Sequence, residues 1–430
     1  GELETGSSLD TAPETEPAAG AAATPESLTP PAAPASGGKA TPPRRKRRHG
    51  MGTARVLLAL LFLLGLFFST VPVGRAALRA AVLLPAFLSA AEPPPLQVVG
   101  EPIRHTSQTI SSSSGPVSID IYAPVAAPPA IPGSREALVD IPGVGDNRTD
   151  PQLINFSESM ARAGIVVVNM TTPTLINFDL SPNDTDAVVQ AYQLAARQPG
   201  VDPHRVGFVG FSGGTVLACL AAADARISRQ VAFITLFGSA FNIADLLRDV
   251  GRGYVIADGQ KITYHPYSTA VQVLANVMAD ALPYDDAQTL LSAFGTGGSP
   301  ISDPETAFTT PGAADAYHLL AGDDPTHVEQ HLAALPPAMQ TLIKQLSPSE
   351  YLRQIDAPIY LLHDHSDPSI PFTESRDFDA ALTRLHHPHD FAEFGIFNHT
   401  EISSGFGLGA ALVDGSKLAR LLIELMLAQS

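Results

Sequence analysis

Gly210-Phe211-Ser212-Gly213-Gly214 form a G-x-S-x-G directly after the apolar run Val206 to Val209 and directly before a stretch that reads as a helix from about Thr215. A serine at a tight strand-to-helix turn has a strained backbone, so its neighbours two residues away must be small for strand and helix to meet. The helix N-terminus then aims unbonded N–H groups at the point where a carbonyl oxygen would gain negative charge. A serine hydroxyl is a weak nucleophile until a histidine takes its proton and an acid orients that histidine. Both follow along the chain. Asp367 lies in the loop after the apolar strand ending at Leu362, and His399 follows the alternating run Phe391 to Phe397. Asp364 is a competing acid in the same loop. The chemistry expected is acyl transfer from an ester or amide to Ser212, with His399 as base and Asp367 as its partner.

A scaffold must deliver these three side chains to one edge of a sheet. From about residue 104 the chain is strand-rich, and a Ser-rich turn (Ser111 to Gly115) before the alternating Val117, Ile119 and Ile121 predicts an antiparallel hairpin. Thereafter apolar strands at Ala137 to Ile141, Ile165 to Asn169, Val206 to Val209, Val231 to Phe237 and Pro358 to Leu362 are separated by helical segments. One helix is well punctuated: Asp150 as N-cap, Pro151 at its first position, Leu153, Phe156 and Met160 on one face, and Gly164 as the stop. Asp184 is expected to cap the next, where Val188, Val189, Tyr192 and Ala196 recur at helical spacing. Buried strands alternating with helices predict an α/β fold with a mostly parallel twisted sheet covered on both faces. The interval from Phe237 to Pro358 exceeds what a crossover requires, so residues 242–350 read as an inserted helical cap that would choose the substrate.

From about residue 100 to its end the chain resembles the α/β-hydrolases. His363-Asp364-His365-Ser366-Asp367-Pro368-Ser369-Ile370-Pro371 is similar to the family's His-Gly-x-x-Asp-x-x-Val-Pro, with Asp364 in place of glycine. Pro142-Gly143-Val144-Gly145 is similar to its oxyanion loop, His-Gly-x-Gly, with proline in place of histidine. The Asp202-Pro203 lead into the elbow strand resembles esterases, dienelactone hydrolases and prolyl-oligopeptidase-like members. The resemblance implies Ser212, Asp367 and His399 as the catalytic residues, the N–H groups of Gly213 and Val144 as the oxyanion hole, and neither cofactor nor metal. It also implies a small-molecule or lipid-like carboxylic ester as substrate, in the manner of an esterase or lipase. A peptidase or amidase of the same fold is the second reading, and a non-catalytic hydrolase-like binding protein is the third.

Other patterns compete for the same residues. His363, His365 and Asp367 have the spacing of metal ligands after a strand, although metal-dependent amidohydrolases place such a pair early in the chain. Five Asn-x-Ser/Thr sequons, at Asn147, Asn155, Asn169, Asn183 and Asn398, are glycan acceptors only in a secretory pathway, and for most of them chance is the better reading. Cys219, the single cysteine, cannot form an internal disulfide and reads as core.

The N-terminal quarter differs from the rest. Residues 1–54 are rich in Ala, Pro, Thr, Ser and Glu, end in a basic run at Arg44 to Arg48, and are expected to be disordered. Residues 55–74 hold the uncharged stretch Val56 to Val73, read as a transmembrane helix or signal anchor, with cleavage and secretion as the alternative. Basic residues before that stretch outnumber Arg75 and Arg79 after it, which places the catalytic domain outside the cytoplasm. Residues 75–100 read as a linker and 101–430 as the hydrolase domain. Nine of the 26 Lys and Arg and six of the 43 Asp and Glu precede residue 92, leaving 17 basic and 37 acidic groups beyond it. A domain so acidic does not attract nucleic acid, and its expected partners are an ester substrate and, through the N-terminal helix, a membrane.

Overall fold

The computed structural model describes residues 50–87, 96, 100–125, 135–399, 401–402 and 408–428. The chain divides into two units, Gly1–Leu58 and Ala59–Ser430. The tail and its basic run at Arg44 to Arg48 lie outside the described residues.

Helices α1 (Gly50–Thr70) and α2 (Pro72–Phe87) come first. Strands β1 (Ile103–Ser112) and β2 (Gly115–Pro124) then pair antiparallel around Ser113 and Ser114, as their alternation predicts. Next are β3 (Arg135–Ile141), α3 (Pro151–Arg162), β4 (Val166–Thr171), α4 (Asp184–Ala196), β5 (Val201–Phe211), α5 (Gly213–Ala222) and β6 (Ile234–Phe237). An insertion follows, with α6 (Ile243–Arg252), the hairpin β7 (Tyr254–Ala257) and β8 (Gln260–Thr263), α7 (Ser268–Ala279), α8 (Tyr284–Phe294), α9 (Ala313–Ala321), α10 (Val328–Ala334) and α11 (Pro337–Gln345). It coincides with the cap expected over 242–350. The chain closes with β9 (Ile359–Asp364), α12 (Phe372–Leu385), β10 (His389–Phe394), the short pair β11 (Phe397–Asn398) and β12 (Glu401–Ile402), and α13 (Leu408–Ala428).

The main sheet runs β1-β2-β4-β3-β5-β6-β9-β10, with β2 antiparallel to β4 and every later neighbour parallel. This order, with a serine at the turn from β5 to α5, is the α/β-hydrolase fold. Apolar strands force both faces to be covered. On one face Val139, Val168, Phe208 and Leu236 pack with residues of α4, α5 and α12, including Tyr192, Leu217 and Phe378. On the other, Leu138, Val167, Val209 and Leu362 pack with Phe156 and Met160 of α3 and with Leu418, Leu421 and Leu422 of α13.

Local chemistry accounts for the element starts. Asp150 caps α3 by accepting from Gln152 N (2.8 Å) and Leu153 N (3.1 Å), a cap worth about 1 kcal/mol. Asp184 does not cap α4 as expected. Asn183 holds the N-cap position without a side-chain bond, while the buried Asp184 carboxylate accepts from Thr172 Oγ1 (2.8 Å) and Thr174 Oγ1 (3.3 Å), because two hydroxyls across the preceding loop satisfy it better than its own helix end. The sequon residues Asn155 and Asn169 are buried, and Cys219 is a buried free thiol.

The helix expected over 55–74 is broken. Helix α1 stops at Thr70, and Pro72, whose ring fixes its backbone at a helix start, opens α2. Among the described residues no single helix is long and apolar enough to cross a membrane, whereas Leu57–Thr70 and Pro72–Pro85 meet that test as a pair bent by 91°. The stretch read as a linker from residue 75 contains most of α2. Ala76, Ala80 and Leu83 are buried in the cluster that holds α3 and α13, and Arg79 reaches the buried Glu136 at 3.2 Å.

Asp140, on β3, is fully buried, and neither carboxylate oxygen has a hydrogen-bond partner. Burial pushes its pKa up to about 8. A folded-state pKa above the unfolded one favours folding at low pH, so this contribution is complete below about pH 4 and is lost as pH rises through about 8. Asp140 is therefore expected to contribute roughly a few kcal/mol to the drop in unfolding free energy across that window, and Asp140→Asn, which keeps the shape without the charge, makes the drop smaller by that share, Glu374 supplying a further share. Chemical denaturation at a series of pH values checks this; parallel curves for wild type and variant would exclude Asp140 as the cause.

Candidate active site

Ser212 sits between β5 and α5 with φ 51° and ψ −125°, a conformation that costs an L residue about 1–3 kcal/mol and persists only where its surroundings over-determine it. Those surroundings are explicit. Ser212 N donates to Phe237 O of β6 (2.9 Å), and Ser212 O accepts from Thr215 N (3.0 Å) and Thr215 Oγ1 (2.5 Å). The turn is so tight that a Cβ on Gly214 would overlap the carbonyl oxygen of Ile141.

His399 follows β11, and its Nδ1 lies 2.6 Å from Asp367 Oδ2. The other Asp367 oxygen accepts from Ser369 N (2.7 Å) and Ile370 N (3.0 Å). Burial pushes this carboxyl upward, but the hydrogen bonds from His363 and His399 outweigh it and hold Asp367 well below the usual carboxylate range. His363 is buried, with Nδ1 2.6 Å from Ser375 Oγ and Nε2 3.0 Å from Ile370 O and 3.4 Å from Asp367 Oδ2. This network assigns the proton to Nε2. Gly238, in the turn after β6, lets the pair sit close: a Cβ there would lie 3.1 Å from His399 Cε1 and 3.3 Å from Asp367 Oδ2.

Asp364 is used differently. One oxygen accepts from Ser366 N (2.9 Å) and Ser366 Oγ (2.6 Å), and the other from Phe397 N (2.7 Å), so it braces the loop after β9 against the approach to His399. His363 and His365 do not converge as metal ligands would: His363 is engaged inside the core, while the exposed His365 packs on Phe372, ring centroids 4.1 Å apart.

The loop after β3 brings Gly143 beside Ser212 and places Val144 next to Gly213. Asn147 Nδ2 donates to Gly143 O (2.9 Å) and Val144 O (3.1 Å), which turns those carbonyls away, while Gly145 N donates to Leu175 O (2.7 Å). The first N–H groups of α5, Gly213 among them, have no acceptor within their helix. Ser212, Gly213, Val144 and His399 line one cavity of about 450 Å³, whose other walls are mostly apolar and include Leu180, Ile243, Val273 and Leu274. The cap is tied to this rim by Asn276 Nδ2, which donates to Phe178 O (2.8 Å).

The chain thus brings together all five residues expected at the site, Ser212, Asp367, His399, Gly213 and Val144. Three supporting groups escaped sequence reasoning. His363 opens the acid motif, and Asn147 was legible only as a sequon. Glu374 left no signal: fully buried, it accepts from Phe241 N (2.7 Å) and Asn242 N (2.9 Å), fixing the segment that carries Ala240 into the cavity wall, and burial still pushes its pKa up to about 8.

No known family profile matches the chain, and no curated protein matches it in sequence. Solved structures do. A puromycin-hydrolysing peptidase of Mycobacterium tuberculosis aligns over 75% of this chain and 39% of its own at 15% identity and a TM-score of 0.45. An esterase of Thermogutta terrifontis aligns over 74% of this chain and 90% of its own at 19% identity and a TM-score of 0.41. A 2,6-dihydroxy-pseudo-oxynicotine hydrolase aligns over 75% and 68% at 13% identity and a TM-score of 0.41. The chain spans about two fifths of the length of the first of these.

The two loop aspartates make separable predictions. Asp367→Asn is expected to slow the reaction of Ser212 with a fluorophosphonate by several orders of magnitude, about 10⁴ where an equivalent change has been measured in a serine protease. Asp364→Asn should lower the melting temperature while slowing labelling about tenfold or less. Equal losses in the two variants, or a larger one at Asp364, would assign the acid to the wrong residue.

Proposed function

We propose that this chain is a membrane-anchored serine hydrolase that cleaves carboxylic esters outside the cytoplasm. The observation that carries the reading is the convergence, at one apolar cavity, of a strained serine at a strand-to-helix turn and a histidine 2.6 Å from a buried carboxylate. Ser212 Oγ attacks the ester carbonyl carbon as its proton passes to His399 Nε2. Asp367 holds the imidazole by Nδ1 and stabilises the imidazolium. The carbonyl oxygen, now negative, accepts from the N–H groups of Gly213 and Val144. Collapse breaks the bond to the alcohol, which leaves with the proton from His399. Water then repeats the sequence on the acyl-enzyme, releasing the acid and restoring Ser212.

The cavity wall favours esters over peptides. Asp150 is its single carboxylate among the described residues, and that carboxylate is taken up as the N-cap of α3. The rest of the wall is mostly apolar, which suits an acyl chain and an alcohol better than the charged groups of a peptide. Membrane attachment rests on α1, whose Leu57, Leu58, Leu61, Phe62 and Leu63 are exposed, a surface that bilayer lipid would cover.

Ser212→Ala is expected to abolish turnover of p-nitrophenyl esters, a loss on the order of 10⁶, with the fold retained. Purified variant that keeps more than a few per cent of wild-type rate would sink the serine mechanism, and wild type that prefers aminoacyl anilides to esters would overturn the substrate class. For topology, protease added to intact cells expressing the full chain should digest the hydrolase domain; protection until lysis would reverse the orientation.

A further inference from the structure

The cavity at Ser212 does not end beneath the cap. Phe156, Val209, Thr235, Leu362 and Leu418 line it, and the same five residues also line a second, smaller cavity of about 60 Å³. The wall they share lies on the sheet face covered by α3 and α13, because Val209 and Leu362 belong to the core cluster on that face, together with Phe156 and Leu418. The second cavity continues under α13, past Leu421, Leu422 and Met426, to Phe233 and Ala137. In sheet register Ala137 lies opposite Val206, six residues before Ser212, so the two spaces in series extend about 20 Å along β5.

The wall the two cavities share is apolar apart from Thr235. Thr235 is the one hydroxyl common to both, and its Oγ1 is buried with no hydrogen-bond partner, so the hydroxyl serves no polar ligand already bound within the protein. At the near end, rings of Phe156, Phe211 and Phe237 meet edge to face, 6.1 and 6.2 Å apart. Phe211 is the first variable residue of the G-x-S-x-G and precedes Ser212 in the chain, and Phe156, Phe211 and Phe237 line the cavity that holds Ser212. At the far end Glu136 closes the space, its carboxylate held by Arg205 and by Arg79 of α2 at 3.2 Å. Two cavities that share an apolar wall, one holding the nucleophile and the other bounded by Glu136 with its arginines, could serve in series as a measuring channel.

We infer that this channel takes the acyl chain of the substrate, and that the hydrolase acts on esters of long, unbranched fatty acids whose tails run beneath α13 while the alcohol lies under the cap. The inference rests on the serine-hydrolase reading for its chemistry and on the cavities for its specificity. Each methylene moved from water into the bore adds favourable binding, so chain length sets the rate until the chain meets Glu136.

The test fills the bore from two sides in the full chain held in phosphatidylcholine nanodiscs. Thr235→Met replaces an unpartnered hydroxyl with apolar bulk, and Leu422→Trp does so from α13; circular dichroism melting confirms that each is folded. The first measurement is kcat/KM for p-nitrophenyl laurate divided by that for butyrate. The second uses the Ser212→Ala chain with a lauric acid carrying a photoreactive diazirine at its far end, the cross-linked peptide being identified by mass spectrometry. The channel predicts a laurate preference that falls about tenfold or more in either folded variant, the equivalent of roughly two buried methylenes. It also predicts a cross-link within the α13 segment Leu421 to Met426 that both substitutions abolish. Should wild type hydrolyse no ester yet give that cross-link, the channel stands and the serine-hydrolase reading falls. An unchanged laurate-to-butyrate ratio in both folded variants, or cross-links confined to α7 in the cap, would overturn the channel.

Discussion

Ser212 can keep its left-handed backbone only because three elements lock it: its N–H is used by β6, its carbonyl is used by Thr215, and the segment of Ile141 and Pro142 presses against the following turn. The rest of the architecture follows from that lock. Strands β3, β5 and β6 must be parallel neighbours for their ends to meet at one place, and that requires helical crossovers on both faces of the sheet. The same sheet edge then receives the loop after β9, with Asp367, and the turn after β11, with His399. The local strain is small beside the burial of Val139, Phe208, Leu236 and their neighbours, which is why Ser212 can be held in so unfavourable a conformation.

How far the chain could be read without coordinates depended on whether the signal was local. The strands on either side of Ser212, the Asp150 cap and the hairpin at Ser113 announce themselves within a few residues, through alternation, capping chemistry and turn residues. Ser212, Asp367 and His399 stood out as candidates because each sits just past an apolar strand. The choice between Asp364 and Asp367 was not local. It turns on Phe397 N, 33 residues away, which takes up one Asp364 oxygen, and on His363, which supports Asp367 from inside the core. Asp184 failed for the same reason. Its sequence position suits a helix cap, and only the tertiary placement of Thr172 and Thr174 draws it elsewhere. Glu374 serves backbone N–H groups more than 130 residues earlier in the chain, a pairing that no pattern along the sequence encodes.

The N-terminal helices show how composition can suggest a role without giving its geometry. Hydropathy alone joins residues 56–73 into one segment, yet Pro72 begins a new helix and the chain bends by 91°. Helix α1 keeps its apolar residues exposed, whereas α2 buries Ala76, Ala80 and Leu83 against the domain and binds Glu136 through Arg79. The two helices therefore differ in environment: α1 leaves its apolar residues uncovered, whereas α2 is packed into the core cluster that holds α3 and α13.

Three buried carboxyls separate the parts that burial and hydrogen bonding play. Asp140 has no partner, and burial makes it a weak acid. Glu374 accepts two backbone N–H groups and remains a weak acid, since both donors are neutral and it is fully enclosed. Asp367 also accepts two backbone N–H groups, but two imidazoles lie against its other oxygen, and that difference holds it ionised. Burial alone would have neutralised Asp367 and left His399 without an anionic partner. Ionisation therefore depends on both histidines, and His363, buried and outside the cavity lining, supports the charge of the carboxylate that His399 meets.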